Sequence, residues 1–349
     1  MGVWKRGFSE LPLIAATAGL LPFASIAGPA DTGPLNSVLS GDLSPTHDPV
    51  IIREKDAYYV FGTGSGGSKT GRSITVRTSP DLIHWTAHDP LFTLPEWTTS
   101  AVPGGCDMWA PDISYFGGLY HMYYAVSSFG SNRSAIGLFT SPTLDSTSSN
   151  YKWTDEGMIV ASTEASNFNA IDPNHAVDLQ GRHWLTLGSF WTGIKLFQLN
   201  PKTGKLLRSD EKPIAIARRP VPAGAPSPIE APFIVTHGGY HYLFASYDWC
   251  CKGAQSNYYV VVGRSRDVRG PYVDKLGGRM LDGLGTLVVR GDKGRDARFR
   301  GPGHNGFLHD VDGKDYLVYH AYDSTKNGAP TLRISPVAWD AKGWPSLVQ

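Results

Sequence analysis

The sequence predicts an all-β protein, a five-bladed β-propeller. Three observations carry this prediction. One short unit recurs five times along the chain. Turn formers and aromatics are abundant, with 40 Gly, 25 Pro, 16 Tyr, 14 Phe and 10 Trp in 349 residues. Charged residues make up only 18%, which suits packed strands and argues against disorder.

The five copies justify the blades in order. The first runs over 48–52, turns at 54–56 and returns over 57–61. The second runs over 112–115, turns at Gly117-Gly118 and returns over 119–124. The third covers 172–177, Gln180-Gly181 and 183–187. The fourth covers 230–235, Gly238-Gly239 and 240–244. The fifth covers 304–308, Asp312-Gly313 and 316–319. Each reads as an apolar strand, a tight turn that tolerates positive φ, and an aromatic or β-branched strand. A third strand follows at 74–80, 136–142, 259–263 and 332–336, and proline at three of those ends stops the ladder. The copies start at 48, 112, 172, 230 and 304, so they lie 58 to 74 residues apart. Antiparallel units of this size bury both faces by stacking radially into a ring. A β-sandwich is the competing architecture.

Residues 1–30 read differently. Lys5 and Arg6 precede an apolar run over 11–27, and small residues follow, including Ala27 and Ala30. This is the pattern of a secretory signal peptide, with the propeller filling 31–349. Pro12 and Pro22 make the run a poor membrane helix. A secreted, extracellular protein is expected. A net charge of +1 leaves no electrostatic footprint for nucleic acid or an anionic membrane surface. Three cysteines make no disulfide framework. Cys250 and Cys251 are adjacent and could form at most a vicinal bridge, unpaired thiols being an equal reading; Cys106 would stay free. Asn132-Arg133-Ser134 is a single glycosylation sequon.

The first strand of a propeller blade lines the central channel, so its leading residue faces one mouth. Those residues are Asp48, Asp112, Asp172, Glu230 and His304. Taken singly, each has a bland reading as a turn former, a solvated acid or a core histidine. Recurrence in all five copies favours a shared site. Crowded carboxyls push their pKa values apart, leaving one protonated beside another ionised. That pair is the equipment for glycosidic bond hydrolysis. Trp109, Trp191 and Trp249 flank the acids and offer flat apolar faces to sugar rings.

The stretches His47-Asp48-Pro49, Trp109-Ala110-Pro111-Asp112, Asn169-Ala170-Ile171-Asp172-Pro173, Ile229-Glu230-Ala231-Pro232 and Gly303-His304-Asn305 occur in order at blade spacing. Trp339-Asp340 and Gly343-Trp344-Pro345 close the series. With these stretches the chain resembles the family 43 glycoside hydrolases, most of all their endo-1,5-α-L-arabinanases, over about 45–349. The resemblance implies an inverting hydrolase cutting α-1,5-linked L-arabinofuranose chains internally, in the arabinan of pectin. It implies Asp48 as general base, Glu230 as general acid and Asp172 as the residue that raises and orients that acid. An inverting base and acid stand about 6.5–9.5 Å apart. His304 matches a histidine that helps hold a central calcium ion, in a structural or electrostatic role. Asp112, Asn169 and Ser189 join the three tryptophans as expected substrate contacts, and a monomer without an appended carbohydrate-binding module is expected.

The loops 127–131, Asn305-Gly306 and Tyr247-Asp248-Trp249-Cys250-Cys251-Lys252-Gly253 look arabinanase-like. The family more often has Phe before that Asp and Arg in place of Lys252, which bears on a detail of substrate binding. Three other readings compete. One is an exo-acting α-L-arabinofuranosidase or β-xylosidase of the same family. Another is a non-catalytic sugar-binding propeller. The last is a five-bladed retaining enzyme acting on fructans.

Overall fold

The computed structural model describes residues 35–64, 73–105, 107–222, 225–291 and 297–348. The expected signal peptide and Cys106 lie outside them. Among the described residues, twenty-one strands form five sheets. Blade 1 holds β1 (Ser40–Gly41), β2 (Val50–Glu54), β3 (Ala57–Gly62), β4 (Thr75–Ser79) and β5 (His84–His88). Blade 2 holds β6 (Met108–Phe116), β7 (Leu119–Val126), β8 (Ser134–Ser141) and β9 (Thr154–Ser162). Blade 3 holds β10 (Asn174–Val177), β11 (His183–Leu187), β12 (Ile194–Leu199) and β13 (Ile214–Ala217). Blade 4 holds β14 (Ile229–His237), β15 (Tyr240–Tyr247), β16 (Tyr259–Ser265) and β17 (Thr286–Arg290). Blade 5 holds β18 (Phe299–His309), β19 (Asp315–Asp323), β20 (Ala329–Trp339) and β21 (Pro345–Leu347).

Each blade is an antiparallel meander, with β1 added parallel to β5 at the rim of the first. The inner strands β2, β6, β10, β14 and β18 touch in that cyclic order, and β18 returns to β2. The ring is therefore closed, as the repeats predict. Middle strands such as β7 and β19 are buried along nearly their whole length, because a neighbouring blade covers each face. Five apolar cores among the described residues fill the five seams. Ile51, Val60 and Trp85 of blade 1 pack on Val318, Leu332 and Ile334 of blade 5, which makes the closing seam. Each fully buried side chain of this size is worth about 1.5–3 kcal/mol. The segment before β2 straps that seam, where Thr46 N donates to the Pro330 carbonyl at 2.9 Å and Leu332 N to the Leu43 carbonyl at 2.9 Å.

The outer strands β9, β13, β17 and β21 have no clear signal in the sequence. Their faces are half exposed, and β9 reads Thr-Asp-Glu-Gly-Met-Ile-Val-Ala-Ser without alternation. The Gly-Gly turns behave as expected: Gly117 and Gly118, and Gly238 and Gly239, all have positive φ.

One backbone feature positions the site. Near the start of four inner strands, and midway along β18, one non-glycine residue is left-handed: Asp48 (φ 49°), Ala110 (45°), Asp172 (57°), Ala231 (53°) and His304 (48°). Such a conformation costs about 1–2 kcal/mol and persists only where the surroundings enforce it. Side chains enforce it by accepting the freed N–H groups. Asp48 N donates to His320 Nδ1 (3.1 Å), Ala110 N to Thr63 Oγ1 (2.8 Å), Ala231 N to Asp172 Oδ2 (3.1 Å) and His304 N to Ser246 Oγ (2.9 Å).

Candidate active site

A cleft of about 630 Å³ opens at this end of the ring. Asp48, Asp172, Glu230 and His304 line it together with Trp109, Asn169, Ser189, Trp191 and Trp249. The left-handed turns explain the convergence. They redirect the chain at or within each inner strand, so side chains from separate blades face one space.

Asp112 departs from this pattern. In blade 2 the left-handed residue is Ala110, and Asp112 lies farther along β6, beyond a register shift. It is not among the residues lining the cleft. Its carboxylate accepts the His175 N–H at 2.7 Å and Asn174 Nδ2 at 3.3 Å, which ties blade 2 to blade 3. Burial lifts its pKa to about 7 despite those bonds. The five leading residues of the repeats are thus not equivalent in space, and Asp112 bonds the next blade where the other four line the cleft.

Asp48 is held as an anion. Burial alone would raise its pKa, but the imidazoles of His304 and His47 outweigh that and hold it well below the usual carboxylate range. His304 Nδ1 lies 3.0 Å from Oδ1, and His47 Nδ1 lies 2.8 Å from Oδ2. Thr63 Oγ1 donates to Oδ2 at 2.5 Å.

Glu230 is pushed the other way. Burial raises its pKa; a hydrogen bond from Ser189 Oγ to Oε2, at 2.7 Å, opposes the rise, and the Asp48 charge adds to it. Asp172 is raised to about 8, by burial first and then by the charges of Glu230 and Asp48. Two buried carboxyls that repel one another cannot both ionise readily. Tyr258, fully buried, is held protonated by burial and by the negative charge of Glu230 and Asp172.

His304 is raised to about 9. Burial would lower it, but Asp48, then Asp172 and Glu230, favour its cationic form. Calcium takes six to eight oxygen ligands. The acids here already hold protein donors: Asp48 from three side chains, Asp172 from Ala231 N, Glu230 from Ser189. A cation would need His304 neutral, with water completing its shell, because the acids around it do not form a cage of protein oxygens.

The aromatic residues differ in exposure. Trp191 and Trp249 are each more than a third exposed, while Trp109 is half-buried. Phe129, 86% exposed, is a further lining ring that the sequence places only in a loop. Asn169 is buried and accepts from Ser134 Oγ at 2.6 Å. Ser189, expected as a substrate contact, touches Glu230 directly.

The sequence pattern assigns no role to His47, Thr63, Tyr258 or His320, and all four meet the acids or their backbone. His320 carries a signal, being a histidine inside the otherwise apolar and aromatic run of β19. The structure bridges Cys250 to Cys251, and both line the cleft. It also buries Asn132, whose Nδ2 donates to the Ser166 carbonyl at 2.9 Å. An amide nitrogen in that position has no room for a glycan.

The family described as Glycosyl hydrolases family 43 matches residues 35–345. This chain belongs to that family. An extracellular endo-α-(1→5)-L-arabinanase of Bacillus subtilis is 42% identical over 98% of each chain. An extracellular exo-α-(1→5)-L-arabinofuranosidase of Cellvibrio japonicus is 43% identical over 86% of each. Among solved structures, the α-L-arabinanase of Cellvibrio cellulosa complexed with arabinohexaose superposes with a TM-score of 0.80 at 40% identity, covering 87% of this chain and 96% of that one. For this family 43 hydrolase, both the repeat count and the ring are those the sequence predicts.

Proposed function

We propose that this chain is a secreted arabinanase that hydrolyses α-1,5-L-arabinofuranosyl linkages internally, with inversion at the anomeric carbon. The observation that carries the reading is a pair of acids in one cleft with opposed pKa shifts: Asp48 held ionised and Glu230 pushed toward its protonated form. Asp48 takes a proton from a water as that water attacks the anomeric carbon. Glu230 gives its proton to the departing glycosidic oxygen. Asp172 shares the buried site with Glu230, and the charge of Glu230 raises Asp172 in turn, so burial and mutual repulsion make the two carboxyls reluctant to ionise together. Each cycle leaves Asp48 protonated and Glu230 ionised, and solvent exchange restores both.

Trp191, Trp249 and Phe129 supply apolar faces around the acids, as a chain of several sugars requires. Where calcium is bound, His304 with water would hold it and supply fixed positive charge beside the acids. Relatives named as extracellular support action outside the cell. The exo reading keeps the same chemistry, and the exo-acting relative from Cellvibrio japonicus is the observation in its favour.

Incubation with linear debranched arabinan separates the two. An early ladder of oligosaccharides, with β-anomeric reducing ends by NMR, is expected. Arabinose or a single short oligosaccharide from the first minute would favour the exo enzyme, and α-anomeric products would overturn inversion.

A further inference from the structure

Asp48 is held by more than its neighbours in blade 1. A line of hydrogen bonds runs to it from the turn that follows β15. The Cys251 N–H donates to the Tyr322 hydroxyl oxygen at 2.8 Å. That oxygen lies 2.9 Å from His47 Nε2, and His47 Nδ1 lies 2.8 Å from Asp48 Oδ2. The roles along the line follow from the partners. The phenol oxygen is already an acceptor from Cys251, so its proton is free to point at Nε2. Nε2 then accepts, and the ring proton sits on Nδ1, facing the carboxylate. Each atom has one consistent role from the peptide N–H to the acid.

The ring of His47 is fixed in a second way. It stacks on His320 with centroids 4.1 Å apart and planes at 22°. His320 is fully buried and accepts the backbone N–H of the same Asp48. Tyr322 is buried at the far end of the line. The Cys250–Cys251 pair lines the cleft, so its turn belongs to the site while anchoring Tyr322.

We infer that His47 and Tyr322 are positioning residues for Asp48: together they lock the His47 tautomer and aim the Oδ2 edge of the carboxylate, with the Cys251 peptide as the fixed end. The inference rests on the reading of Asp48 as the base. Neither residue needs to touch the sugar. Misaiming a reacting group by about 1 Å costs up to about 100-fold in rate.

The test compares Tyr322→Phe, His47→Asn and the double variant, with Asp48→Asn as reference, on debranched arabinan and on an aryl α-1,5-arabinotrioside. Tyr322→Phe keeps the ring and its packing but loses the proton aimed at Nε2. It is expected to lower kcat about 10- to 100-fold with KM unchanged. The loss should persist on the aryl substrate, where the leaving group needs no acid. His47→Asn can still donate to Oδ2 but cannot reach Tyr322, so Tyr322→Phe should cost nothing further in that background. A full Tyr322→Phe loss in the His47→Asn background, or a loss seen in KM alone, would overturn the inference. So would wild-type kcat in Tyr322→Phe while Asp48→Asn is inactive. Retained activity in Asp48→Asn would instead overturn the base assignment itself. Near-ultraviolet circular dichroism confirms folding of each variant, and a misfolded Tyr322→Phe leaves the decision to His47→Phe against His47→Asn. Equal losses in that pair would also sink the inference.

Discussion

The backbone N–H of Asp48 donates to Nδ1 of His320 at 3.1 Å, across the seam where the first blade meets the last. Asp48 is left-handed, and this bond is what its freed N–H receives in return. A single buried imidazole therefore joins ring closure to the shape of the site. Replacing it by His320→Phe leaves that N–H unpaired, at a cost of about 1–3 kcal/mol. Urea unfolding should show this loss, and kcat on arabinan should fall with it. Wild-type stability would mean that the turn at Asp48 does not depend on the bond.

The opposed pKa shifts set the pH dependence. Activity needs Asp48 ionised and Glu230 protonated. Asp48 is held low, so the acid limb of kcat/KM should lie below the usual aspartate range. Glu230 is raised, so the alkaline limb should lie above the usual glutamate range. The Ser189 hydroxyl donates to Glu230 Oε2 and so favours the ionised form. Ser189→Ala removes that donor, and the alkaline limb should move to higher pH. A shift to lower pH would show that Ser189 acts on Glu230 by another route.

Acid and base are distinguished by the leaving group. Glu230→Gln should cost about 10²–10⁴-fold on arabinan, the usual worth of general acid catalysis. On an aryl arabinoside with a good leaving group most of that loss should disappear. Asp48→Asn should remain inactive on both substrates, because water still needs its base. The opposite pattern would exchange the two roles.

Gly303 tests how tightly the acid is packed. A Cβ there would meet Tyr258 Cδ1 at 2.0 Å, and Tyr258 is fully buried beside Glu230. Gly303→Ala must displace that ring. A loss of about 1–3 kcal/mol is expected from overpacking, read as a lower melting temperature. A neutral effect would show slack around Glu230 that the structure does not contain.

Much of the site is legible in the amino-acid sequence. The five copies set the blade count, because each repeats a strand, a tight turn and a second strand. Asp48, Asp172, Glu230 and His304 stand at the start of four of them, and all four line the cleft. Asp112 shows the limit of that reading. A repeat aligned by letters places it with the others, but a register shift moves it down its strand to bond the next blade. The outer strands are illegible for a different reason. Only one seam touches them, so solvent allows mixed residues and the alternation fades.

The sequence by itself determined the inner and middle strands, the turns between them, the number of blades and the types of acid at their ends, since these depend on local pattern. Tertiary structure alone decided which groups meet. His47 and His320 lie 273 positions apart in the chain, yet their rings stack because the first and last blades close the ring. The same closure brings Tyr322 to His47 and His304 to Asp48. It also decides which carboxyl keeps its proton. That outcome depends on burial and on charges from other blades, and no stretch of the chain carries it alone.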